Sequence, residues 1–110
     1  MSKDLVSYYG QTARIDQLVE KYGAYLEKLN AEIKLLLRII LSTYVFKCEL
    51  VEYSITKTLE DCTLIIPESN SQDLNDICIQ LEGLTVDEAE SILDALQYQL
   101  HWGNAQKIMN

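Results

Sequence analysis

The chain has 110 residues, of which 48% are hydrophobic and 24% charged, with a formal net charge of −8. That length and balance fit one domain with a modest core and exclude disorder over most of the chain. The acid is unevenly placed: residues 1–57 sum to +1 and residues 58–110 to −9, which argues against direct contact with nucleic acid phosphate and favours a basic protein partner.

The opening MSKDLVSYYG has no apolar core of a signal peptide, and the apolar run LLLRIILSTYVF at 35–46 is short for a membrane span and bracketed by Lys34, Arg38 and Lys47. Both features point to a cytoplasmic chain that does not enter a membrane. Three widely spaced cysteines, Cys48, Cys62 and Cys78, fit reduced thiols better than a disulfide framework.

The strongest periodicity comes first. Ile15, Val19, Tyr22, Leu26, Leu29, Ile33, Leu36 and Ile40 recur in steps of four and three, which predicts one long helix over about 11–42, its start set at residue 3 or 11 by Gly10. Flanking positions are mostly apolar or small, as in a bundle helix, and past residue 35 the pattern is apolar almost all round. Gly23 inside such a helix costs about 1 kcal/mol relative to Ala. A helix of about 30 residues runs about 45 Å, longer than a domain of this size is wide. Its far end therefore predicts a homo-oligomer, dimeric or higher, with Leu26, Leu29, Ile33, Leu36 and Ile40 at the interface.

Residues 44–66 support two readings. Tyr44, Cys48, Val51, Ile55, Leu59, Cys62 and Ile66 form a helical stripe, while Val51, Tyr53 and Ile55 alternate with polar residues as in a strand. The segment is a helix or a β-hairpin turning near Glu60 and Asp61. After Pro67, a polar loop over 68–73 leads to a helix over 72–82 that presents Leu74, Ile77, Cys78 and Leu81 and stops at Gly83. Thr85 and Glu88 have the spacing of a capping box, and the last helix, 86–102, buries Ala89, Ile92, Leu93, Leu96 and Leu100 and ends at Gly103. The fold class is mainly α: a long N-terminal helix plus a C-terminal αα-hairpin in an oligomeric helical bundle, with α+β as the alternative if 44–66 is a hairpin. The stretch IQLEGLTVDEAESILDAL at 79–96 resembles a helix–turn–helix of small phage and prophage accessory proteins, which implies a small regulator or inhibitor.

No catalytic pattern is present. His101 is the single histidine and reads as a helix C-terminal residue beside Trp102, whose indole covers the end of the core. Cys48, Cys62, Cys78 and His101 lack the short Cys-x-x-Cys spacing of a zinc site. Carboxylates are plentiful, but a di-metal carboxylate bundle needs two Glu-x-x-His pairs. A non-enzymatic chain with no metal and no cofactor is expected. The last helix places Asp87, Glu90, Asp94, Tyr98 and His101 on the side opposite its apolar stripe, an acidic ladder ending in an aromatic. These five are the candidate partner-binding residues of an interaction protein. The second reading is a small-ligand binder, nucleotides included, with pockets at subunit interfaces lined by tyrosines and by the few cations; Tyr8 and Tyr9 lie near the N-terminus, outside the heptads.

Overall fold

The computed structural model describes the backbone of residues 12–109 and the side chains of residues 12–102. Among these residues there are five α-helices, one 3₁₀ turn and no strand: α1 (Ala13–Tyr22), α2 (Ala31–Leu50), α3 (Ile55–Asp61), the 3₁₀ turn (Thr63–Ile65), α4 (Glu68–Gln80) and α5 (Val86–Met109).

The long N-terminal helix expected over 11–42 is two helices. Thr12 opens α1 by accepting the Ile15 amide at 3.1 Å, while the start expected at residue 3 or 11 lies outside the described residues. Gly23 ends α1 with φ +97°, a backbone angle that costs glycine little and a side-chain-bearing residue much. The chain then turns, with Leu26 also at positive φ. Asn30 opens α2 by accepting the Ile33 amide at 2.9 Å. The periodicity ran across the break because Leu26 and Leu29 still face the core from the loop: Leu26 is fully buried and Leu29 packs against the same cluster. Apolar spacing records which residues go inside, whatever backbone carries them. Gly23 and Asn30 were cap signals inside a continuous pattern.

This break removes the argument from length. Helix α2 has 20 residues and runs about 30 Å, within the molecule's 42 Å longest extent. The residues expected at an oligomer interface serve the subunit's own core instead. Leu26, Ile33, Leu36 and Ile40 are buried and Leu29 is partly buried.

Residues 44–66 form neither one helix nor a hairpin. Helix α2 runs on to Leu50, Val51 is extended, and Ser54 caps α3 by accepting the Lys57 amide at 3.1 Å. The strand-like composition of 51–54 thus becomes a four-residue link with no partner strand among the described residues. Helix α3 buries Ile55 and Thr58, and the Thr58 hydroxyl is satisfied by the Ser54 carbonyl at 2.9 Å. Lys47 sits 5.4 Å from the centre of the Tyr53 ring and 3.9 Å from the Asp61 carboxylate, to which the Tyr53 hydroxyl donates, so one polar cluster ties α2 to α3.

Helix α4 begins directly after Pro67, four residues before the expected 72. Pro67 sits at its N-cap, Glu68 lies in the first turn, and proline and acid are both at home there. The buried Asn70 amide donates to Glu32 Oε1 at 2.8 Å, joining α4 to α2.

The capping box forms: Glu88 N donates to Thr85 Oγ1 and Thr85 N to Glu88 Oε1, both at 3.1 Å. The Leu84 and Ala89 side chains are both buried. Helix α5 continues through Gly103 to Met109 rather than ending there, since glycine weakens a helix without breaking it. The expected αα-hairpin is looser than predicted. Helix α5 packs chiefly along α2, while α4 packs on α3 and α2. The core draws on all five helices, from Ile15 and Leu18 through Leu37, Ile40 and Leu41 to Leu74, Ile77, Ile92 and Leu96.

Helix α2 is apolar on two sides. One face, Ile33, Leu36, Leu37, Ile40, Leu41 and Tyr44, lies in the core. The other, Leu35, Ile39, Phe46 and Leu50, is exposed. The run at 35–46 is therefore wrapped on one side only.

Candidate functional site

Helix α5 is positioned from both ends of its first turn. Its apolar residues Ala89, Ile92, Ala95, Leu96 and Leu100 are buried, which turns the opposite face outward. The capping box fixes where the helix starts. Outside it, Arg14 Nη1 meets Glu88 Oε1 at 3.0 Å and Thr12 Oγ1 donates to Glu88 Oε2 at 2.9 Å. Arg14 Nη2 also donates to the Glu82 carbonyl at 3.0 Å. Glu88, an acid of the first turn, is thereby spent on structure. Burial alone would raise its carboxyl, but the Thr85 amide, the Thr12 and Thr85 hydroxyls and the Arg14 charge outweigh that and hold it below the ordinary range.

The other acids of the helix are not spent. Asp87, Glu90 and Asp94 are exposed, as are Tyr98 and His101, and at about 100° per residue all five share one face. None of the three carboxylates has an ion-pair partner among the described residues. Asp94, Gln97, Tyr98 and His101 line an open depression of about 340 Å³ on this face.

Trp102 belongs to the same surface and was assigned otherwise by the sequence. Trp102, expected at the end of the core, is 40% exposed. Its ring centre lies 6.2 Å from that of Tyr98 and 6.2 Å from that of His101. The signal was available: Tyr98 and Trp102 are four apart on a helix and meet on one side. The ladder thus runs from three carboxylates to three ring-bearing side chains. Carboxylates attract Lys and Arg, and the rings offer cations a π face.

Two other recesses lie away from this face. The larger, about 570 Å³ between α3 and α4, is lined by Leu59, Ile66 and polar residues that include Glu60 and Glu68. The smaller, about 220 Å³, gathers Lys21 and Lys28, but Asp73 and Asp76 line it too. Neither concentrates positive charge as an anionic ligand would require. Tyr8 and Tyr9 lie outside the described residues.

No protein-family model, curated protein or solved structure matches this chain. The site must therefore be read from its chemistry. Cys62 and Cys78 are buried and His101 is exposed. Among the described residues, no group of three or more His, Cys, Asp or Glu is placed to hold a metal ion. Burial, with help from the charge of Glu82, pushes the Cys78 thiol up to about 12, the opposite of what a nucleophile needs. No helix is long and apolar enough to cross a membrane among the described residues.

Proposed function

We propose that this chain is a non-enzymatic interaction protein, a small regulator or inhibitor that captures a basic segment of another protein on the outer face of α5. Asp87, Glu90 and Asp94 bind the Lys and Arg side chains of that segment, and Tyr98, His101 and Trp102 receive its end through stacking and cation–π contact. One observation carries the reading. The three carboxylates of this face are exposed and without ion-pair partners among the described residues, whereas Glu88, on the same helix, is held by Arg14. The concentration of negative charge after residue 57 supports the same sign of partner.

The alternative, a small-ligand binder fed by the cations of the N-terminal half, gains less support because the recess that holds Lys21 and Lys28 also holds Asp73 and Asp76, and the larger recess is lined by acids without a cation among the described residues. The test is charge reversal. A fluorescent Lys- and Arg-rich helical peptide should bind with an affinity that falls steeply as salt rises. The triple variant Asp87→Lys, Glu90→Lys, Asp94→Lys should lose that binding while its circular dichroism stays unchanged. Peptide binding that survives the triple reversal would refute the proposal.

A further inference from the structure

The outer face of α2 is an apolar stripe with no cover among the described residues. Leu35, Ile39, Phe46 and Leu50 fall within about 60° of one another around the helix, and Phe46 and Leu50 are 60% and 64% exposed. An exposed apolar row of this kind on one helix face marks a contact surface.

Its flanking charges say what fits there. Arg38 and Glu49 lie on the same edge of the stripe, within about 20° of each other, and neither side chain has a partner among the described residues. A uniformly basic segment would repel Arg38 and a uniformly acidic one would repel Glu49. The complement is an apolar helix that carries the two signs in reverse order, and α2 of a second copy, turned end for end, is such a helix.

We propose that two copies of this chain pair through their α2 helices, antiparallel, about a two-fold axis at Ser42 and Thr43. In that register Leu35 faces the partner's Leu50 and Ile39 faces the partner's Phe46. Arg38 comes within about 3 Å, measured along the axis, of the partner's Glu49, and the symmetry makes this pair twice. The axis falls on the two small residues of the stripe, where the backbones must come closest. The Thr43 hydroxyl already donates to the Ile39 carbonyl at 2.8 Å, so covering it leaves no unsatisfied donor. The acidic ladder takes no part in the contact. It lies opposite the buried face of α5, as the stripe lies opposite the buried face of α2, so pairing leaves both ladders open.

Sedimentation velocity of the full chain over a concentration series tests the inference. Wild type should form dimers reversibly. Phe46→Glu and Ile39→Glu, both at exposed positions, should give monomers with unchanged helicity. Arg38→Glu should weaken pairing about tenfold or more, because it sets like charges against each other. Adding Glu49→Arg to Arg38→Glu should restore it. Wild type that stays monomeric at about 100 μM, well above the range of weak specific interfaces, would overturn the inference. So would a dimer that tolerates Phe46→Glu, or one in which the double charge swap fails to recover what the single one lost.

Discussion

Arg14 and Glu88 stand 74 positions apart in the chain and 3.0 Å apart in space. Their pairing clamps the start of α1 to the first turn of α5. The same carboxylate also completes the capping box with Thr85 and accepts the Thr12 hydroxyl. The Glu88 side chain is 13% exposed and that of Arg14 29%, so this pair is partly shielded from water while Thr85 remains exposed.

Replacing Glu88 with Ala should therefore cost about 1–2 kcal/mol, the range for losing a helix cap and a charged hydrogen bond together. Arg14→Ala should cost less, because Thr85 and Thr12 remain as partners of Glu88. Urea unfolding midpoints would rank the two.

Acid should expose the same site. The Glu88 carboxyl is held below its ordinary value of 4.5 in the folded chain. A carboxylate depressed by folding stabilises fully above its unfolded value, and that contribution is lost as pH falls through the folded one. Stability should decline as pH drops below about 4.5, and Glu88→Gln should flatten that decline. Thermal melts in this acid range, wild type against variant, would measure the difference. Equal slopes would place the acid sensitivity elsewhere.

The break between α1 and α2 can be tested with one residue. At an exposed site inside a continuous helix, Gly→Ala stabilises by about 1 kcal/mol. At Gly23 the φ of +97° is one that L side chains rarely adopt, and a methyl group would overlap the Glu27 carboxylate. Gly23→Ala should instead destabilise, by about 1 kcal/mol or more. A rise in melting temperature would mean that the helix runs through.

The buried hydroxyl of Tyr44 donates to the Leu84 carbonyl and so ties α2 to the loop before α5. Tyr44→Phe leaves that carbonyl without its partner and should cost about 1–2 kcal/mol. Burial, reinforced by the Cys48 side chain, pushes the Tyr44 hydroxyl up to about 12 from its ordinary 10. A raised acid favours the neutral form in the folded state, so its contribution holds below pH 10 and fades as pH climbs toward 12. In an alkaline ultraviolet titration, Tyr44→Phe should remove a late-ionising tyrosine.

The thiols should differ in reach. Cys48 is partly exposed, whereas Cys62 and Cys78 are buried. A thiol reagent should modify Cys48 first, with Cys78 following only on unfolding. Rapid labelling of all three under native conditions would contradict the packing.

The residues bound for the interior were legible because burial repeats with the period of the helix. Ile15, Leu26, Ile33, Leu36 and Ile40 stood out by spacing and are buried. The outward set on α5, Asp87 through His101, was legible for the same reason: one strong apolar stripe defines its own opposite face. Thr85 and Glu88 announced the capping box because that interaction closes within four residues.

What spacing could not supply was continuity or choice of side. A buried Leu26 keeps the same period whether it sits in a helix or in a turn, and only the backbone angles at Gly23 and Leu26 decide between them. The strand-like residues at 51–54 needed a neighbouring strand to pair with, and none lies beside them among the described residues. Past residue 35 helix α2 is apolar beyond its heptad positions too, and no local rule ranks those further residues. The packing of α5 along α2 ranked them, because a core forms where two faces meet. Leu37 and Leu41 went inside, and Leu35, Ile39, Phe46 and Leu50 stayed in the open.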